Sequence, residues 1–241
     1  MLNPDWLYGA TRVDDFSEGL GNWSVQKLIR RDPEYSRYFH HNYNRKAGAV
    51  LEDHPEINGM RALHIRRVLD HELFADRDGA VWNFPAGRTG ELETRLMCVD
   101  GFGGMTIALT DRWYQPTDNE GEAAAVFSLT ITEKLTIADS ANFEAGAWYI
   151  FRFSWNRLED SSRDSCRVTI SRRDDAKAEE QIEITLDLRR SCPNGLSYLR
   201  FRSTARMEDL RGAYVEYVSV RIGSAVAEYG EIIDTVHSQS T

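Results

Sequence analysis

Cysteine is scarce in this chain: Cys98, Cys166 and Cys192 are the three among 241 residues. An odd number with no Cys-x-x-Cys spacing argues against a disulfide framework and against a zinc site. Cys98 and Cys166 fall within strand-like runs, where cysteine serves as a small buried hydrophobe; a Cys166–Cys192 bridge is compatible with the sequence. No apolar run approaches the roughly 20 residues of a membrane-spanning helix. The first residues, MLNPDWLYGATRVDDF, lack a basic region followed by an apolar stretch and so do not read as a signal peptide. The expectation is a soluble protein, cytoplasmic by default. An excess of positive charge is missing as well. The net charge of −9 opposes binding to nucleic acid or to an anionic membrane, and neither is an expected partner. There is no P-loop, no dinucleotide-binding glycine fingerprint, no Gly-x-Ser-x-Gly elbow and no His-Glu-x-x-His. Gly101-x-Gly103-Gly104 sits between strands and is turn chemistry.

Long helical periodicity is also scarce, and no repeat of 20–50 residues is visible. What recurs is short β-rich runs bounded by Gly, Asn, Asp and Pro. Strands are expected from Trp23 to about Ile29, and over Ala49–Glu52, Ala62–Arg67, Val81–Phe84, Gly90–Val99 and Met105–Thr110. Further strands are expected over Ala125–Thr132, Trp148–Asn156, Cys166–Ser171, Ile182–Leu188, Leu196–Ser203 and Ala213–Ile222. His71–Asp76 is ambiguous, and Arg30–Lys46 reads as a polar insertion rich in Tyr, His and Arg. Trp148–Asn156 is apolar on both faces, which predicts a central strand covered on each side. About a dozen strands with almost no helix between them exclude a parallel βαβ architecture. A two-sheet antiparallel β-sandwich is the expected fold, one domain over residues 13–222, with residues 1–12 and 223–241 as terminal extensions.

Several segments resemble a known superfamily. Asp14–Trp23 (DDFSEGLGNW) resembles the opening strand of concanavalin A-like jelly rolls, and Ala213–Ile222 (AYVEYVSVRI) resembles the closing strand, which pairs with it in those modules. Between them, Trp82–Leu96, Gly101–Asp111 and Leu196–Glu216 look like sandwich modules attached to sialidase-like and other glycan-processing proteins. The resemblance spans Val13 to Ile222 and implies an all-β jelly roll. That superfold hosts lectins, glycanases, lyases and inert spacers, so it implies little about function. The glucanase Glu-x-Asp-x-x-Glu strand is absent: Glu91-Leu92-Glu93 continues as Thr94-Arg95-Leu96. The Gln-x-His strand of alginate-lyase-like sandwiches is absent too. Jelly-roll modules often hold a structural Ca²⁺ where the first and last strands meet, with carboxylate and carbonyl ligands. The resemblance therefore makes Asp14, Asp15 and Glu216 the candidate metal ligands.

Residue alternation points to binding residues. Tyr198, Arg200 and Arg202 lie two apart and share one face of their strand, while Leu199 and Phe201 face the other way. Arg152 and Arg95 are candidate additions to that surface. Two or three guanidiniums on a sheet suit bidentate recognition of a carboxylate, and hence an anionic glycan. The competing expectation is that these arginines pair with Glu93, Glu216 or Asp187. Trp113 and Tyr114, in a polar loop, are candidate platforms for the apolar face of a sugar ring, whereas Trp148 and Trp155 read as core. Asp111, Asp118, Glu120 and Glu122 cluster in the same loop. Asp111 joins the ligand-binding candidates, although a solvated acidic loop accounts for the cluster equally well. The histidines, His54 and His64 included, show no metal-ligand spacing.

The leading expectation is thus a carbohydrate-recognition or accessory module for anionic glycans, with carbohydrate as its partner. One rival is a glycoside hydrolase or polysaccharide lyase with an unfamiliar constellation. The other is a structural or oligomerisation module. No catalytic residue is identifiable from the sequence.

Overall fold

A computed structural model describes residues 11–25, 49–68, 79–116, 119–137, 141–156, 158–160, 164–173 and 181–223. The strands in chain order are β1 (Thr11–Asp14), β2 (Trp23–Ser24), β3 (Ala49–Asp53), β4 (Arg61–Arg67), β5 (Gly79–Gly87), β6 (Thr89–Cys98) and β7 (Met105–Thr110). A short helix, α1 (Asn119–Ala123), precedes β8 (Phe127–Ile131), β9 (Thr136–Ile137) and β10 (Ala141–Asn142). The remainder are β11 (Trp148–Asn156), β12 (Ser165–Arg172), β13 (Ile182–Asp187), β14 (Leu196–Ser203) and β15 (Asp209–Ile222).

Two antiparallel sheets form the sandwich. One has eight strands in the order β13-β12-β11-β6-β15-β4-β3, with β1 added against β15; the other has five, β2-β5-β14-β7-β8. The closing strand β15 pairs with β1, Val13 lying opposite Ser219; of the expected opening segment Asp14–Trp23 only Asp14 takes part, and Trp23 pairs with β5 in the other sheet. Alternation explains the layering. On β12, Cys166, Val168 and Ile170 are buried while Arg167 is exposed. On β14, Leu199 and Phe201 face inward from the opposing sheet.

Aromatic rings fill the space between the sheets. Trp23 stacks on Trp82 and Phe201 with centroids 6.1 and 6.0 Å apart, and Phe84 joins Trp82 to Trp155. Such interiors are close-packed, so removing one ring, as in Phe201→Ala, costs about 3–5 kcal/mol. The three cysteines are free and buried; burial pushes the thiols of Cys98 and Cys166 up to about 12. Cys166 and Cys192 form no bridge.

The structure departs from the sequence reading in particular places. β11 is central, between β12 and β6, but it is not covered on both sides: Phe151, Phe153 and Trp155 face the core while Arg152 and Ser154 are exposed. The loop after Asp111 contains α1. Strands β1, β9 and β10 are additional, and β1 begins at Thr11, inside the expected extension. β15 starts four residues before its expected onset and carries two register shifts. At the first, Gly212 has φ +56°, and a Cβ there would stand 1.9 Å from the Ile65 carbonyl oxygen, so only glycine fits. At the second, Glu216 is the extra residue between Val215 and Tyr217. Residues beyond Val25 in the expected first strand, and His71–Asp76, lie outside the described residues.

Candidate functional site

The two sheets turn very different outer faces to their surroundings. On the five-stranded sheet, Tyr198, Arg200 and Arg202 do project together from β14. Arg200 and Arg202, however, are each only 1% exposed. The segment after β7 crosses over them. Arg200 donates to the Pro116 carbonyl at 2.8 Å and lies 3.9 Å from Glu122, while Arg202 donates to Asn119 Oδ1. Glu122 is itself fixed to the sheet, accepting from Thr106 Oγ1 at 3.1 Å and Ser128 Oγ at 2.9 Å. Gly121 permits this approach, because a Cβ there would stand 2.6 Å from Arg200 Nη1 and 2.7 Å from Tyr114 Cβ. The two guanidiniums expected in an open groove are therefore covered by the chain itself.

The rest of that segment is anchored as well. Asp111 pairs with Arg190 through both carboxylate oxygens. Burial alone would raise the Asp111 pKa, but the Arg190 hydrogen bonds and charge, with help from Arg112, outweigh it and hold the carboxyl below its ordinary value. Of the loop acids, Asp111 and Glu122 are engaged rather than solvated, Glu120 is exposed, and Asp118 lies outside the described residues. Tyr114 is half-buried beside Gly121. Trp113 is 45% exposed, with its indole N–H donating to Ser24 Oγ at 3.1 Å.

Arg95 and Arg152 belong to the other sheet, so they do not extend the Tyr198 surface. Antiparallel pairing lays the outer face of the eight-stranded sheet out as rows across the strands. One row runs Thr169, Arg152, Glu93, Ser219, Val13. The next, two residues along each strand, runs Arg167, Ser154, Glu91, Arg221, Thr11. Short Ser and Thr side chains lie among long charged ones, and the result is a groove of about 430 Å³ crossing β12, β11, β6, β15 and β1. Its arginines are held by carboxylates: Arg152 Nε meets Glu93 at 2.9 Å, Arg221 meets Glu91 at 2.7 Å, and Arg167 lies 3.3 Å from Glu183. Arg152 nonetheless remains 50% exposed.

Beside the groove the ion pairs continue into a buried cluster. Arg95 bridges Glu93 at 3.2 Å and Glu216 at 3.6 Å, and its guanidinium lies 4.5 Å from the Tyr217 ring centroid. Glu216, next to the inward-facing Val215, lies on this outer face and accepts from Arg173 Nη1 and His54 Nε2, both at 2.8 Å, and the bulge keeps Tyr217 on the same side. His54 Nδ1 accepts the backbone N–H groups of Glu56 and Ile57, which places the ring proton on Nε2, facing Glu216. His54 also stacks on Trp148 at 4.8 Å. Trp148 is thus buried as expected, but beneath the His54 loop rather than between the sheets. Farther along, the His64 ring stacks on Tyr214 at 4.0 Å, and burial together with Glu52 raises the Tyr214 phenol above its ordinary value.

The carboxylates expected to hold Ca²⁺ do not fit the ion. Asp14 accepts the Phe16 N–H and the Trp23 indole N–H, Asp15 accepts from Ser17, and Glu216 is engaged by His54 and Arg173. Both oxygens of Asp14, Oδ1 of Asp15 and the Glu216 carboxylate already serve donors. Among the described residues no three His, Cys, Asp or Glu side chains form a metal-holding group.

Arg167, Arg221 and Glu91 were not singled out by the sequence. Strand alternation marks each as outward-facing, but their assembly depends on which strands are neighbours and in what register.

The fold is a two-sheet antiparallel β-sandwich of the concanavalin A-like jelly-roll type. No protein family matches the sequence, and no curated protein does. Among solved structures, it is similar to a winged bean acidic lectin complexed with methyl-α-D-galactose. The TM-score is 0.52 at 10% identity, covering 88% of this chain and 98% of the lectin. A cellulose-induced protein matches with a TM-score of 0.51 at 9% identity, over 89% of this chain and 97% of that one. At these identities the likeness is one of fold. No helix among the described residues is long and apolar enough to cross a membrane.

Proposed function

We propose that the chain is a carbohydrate-binding sandwich, an accessory module for anionic glycans, and that its site is the groove on the eight-stranded sheet. The observation that carries this reading is the trio Arg152, Arg167 and Arg221 along an open, Ser- and Thr-floored groove. Its volume falls in the range of pockets that hold small ligands. Guanidiniums recognise carboxylates and sulfates through paired N–H donors. Ser and Thr hydroxyls, which donate and accept, match sugar hydroxyls. Among the described residues the lining includes no Trp or Tyr, and charge rather than stacking supplies the selectivity. The likeness to a lectin solved with a galactoside agrees with the class of ligand.

Calorimetric titration with acidic and neutral oligosaccharides of equal length tests the proposal. Acidic chains should bind and neutral ones bind at least about tenfold more weakly, with affinity falling as salt screens the arginines. Absence of heat with acidic chains at low salt would overturn it.

A further inference from the structure

We infer that the groove prefers a glycan in which acidic sugars alternate with uncharged, hydroxyl-rich ones, over a polymer bearing an acid on every ring. The inference rests on the reading of the groove as a glycan site and adds the charge pattern of the ligand. Cross-strand pairing arranges charge along the groove in a fixed order. Arg167 and Arg152 stand on β12 and β11, Glu91 and Glu93 on β6, and Arg221 on β15. The sequence across the sheet is therefore cation, anion, cation.

Neighbouring strands lie roughly 4.8 Å apart, so Arg167 and Arg221, three spacings apart in one row, are separated by ~14 Å at the backbone. The five strands together span ~19 Å, the reach of a short oligosaccharide rather than of a single sugar. A chain lying across the strands places one of its middle rings over β6. There it meets two carboxylates, each fixed by an arginine: Glu93 by Arg152 and Arg95, Glu91 by Arg221. A ring with hydroxyls and no acid donates hydrogen bonds to these oxygens. A ring carrying an acid sets like charge against like, which disfavours the wrong partner more than it weakens the right one. Acids on the flanking rings reach Arg152 and Arg167 on one side and Arg221 on the other. Arg95, in the adjoining row, is occupied by Tyr217, Glu93 and Glu216 and does not reverse the sign of the β6 position.

The test is calorimetry with two hexasaccharides, one of uronate at every ring and one alternating uronate with N-acetylhexosamine. Wild type should bind the alternating chain at least about tenfold more tightly. Glu91→Gln/Glu93→Gln, which keeps size and a carbonyl acceptor, should bring the two affinities to within about threefold by improving the homouronate. Should the double variant not fold, Glu91→Gln alone, at an exposed carboxylate, should narrow the ratio in the same direction. Equal or tighter homouronate binding by wild type, or an unchanged ratio in the variants, overturns the charge-pattern inference and leaves the glycan site standing. Failure of both hexasaccharides to bind overturns both.

Discussion

The outer faces of the two sheets carry the same residue types and put them to opposite use. On the five-stranded face, arginines lie under their own chain, held by Pro116, Asn119 and Glu122. On the eight-stranded face, arginines stand along a groove and are held from the side by carboxylates of neighbouring strands. The difference is topological. The segment after β7 returns across its own sheet before β8 begins, whereas the groove crosses strands drawn from distant parts of the chain. Arginine on a strand face is therefore no sign of a binding surface until the loops that cross it are known.

The contrast is broken most forcefully by stability. Arg200→Ala leaves the Gln115 and Pro116 carbonyls short of a buried donor and Glu122 without its ion-pair partner, and should cost about 2–4 kcal/mol, read from the urea midpoint. Arg152→Ala removes an exposed pair and should cost no more than ~0.5 kcal/mol. Equal costs would mean that the faces do not differ as described. Gly121→Val should come next. Its side chain cannot fit against Arg200 and Tyr114, and the resulting strain of about 1–3 kcal/mol should appear as a lowered midpoint, with a shift in Trp113 fluorescence and no change in glycan binding.

Binding should show the converse. Arg152→Ala/Arg167→Ala should weaken an acidic oligosaccharide by at least about tenfold in calorimetry while leaving the unfolding midpoint nearly unmoved. The smallest effect belongs to pH. Asp111 titrates below its unfolded value of 3.8, so the stabilisation from Arg190 is full above that pH and is lost as pH falls through the folded-state value. Asp111→Asn should remove that part of the acid dependence, worth at most ~1 kcal/mol for a partly exposed pair, as seen in urea midpoints taken from pH 5 to pH 2.

Much of the fold was legible because side-chain alternation is local. The bounds of β7, β11 and β14 agree with their apolar periodicity, and Leu199 and Phe201 face the core as their spacing predicts. The closing strand finds an N-terminal partner as the jelly-roll resemblance implies, but that partner is Thr11–Asp14 and shares only Asp14 with the segment that carried the resemblance. What was not legible is set by distant contacts. Nothing near Arg95 or Arg152 says that β6 and β11 belong to a different sheet from β14. Nothing near Arg200 says that Pro116 and Glu122 return to cover it. The bulge is likewise invisible in Tyr-Val-Glu-Tyr-Val: alternation from Val215 turns Glu216 outward and Tyr217 inward, whereas Tyr217 lies beside Arg95 on the outer face.

The most direct test is to follow backbone amides by NMR while an acidic oligosaccharide is added. Shifts should concentrate at Ser154, Thr169 and Ser219 on the groove floor and at Arg152 and Arg167 beside them, with Ser24, Asn83 and Tyr198 unmoved. Shifts confined to the five-stranded face, or none at saturating ligand, would contradict the assignment of the site.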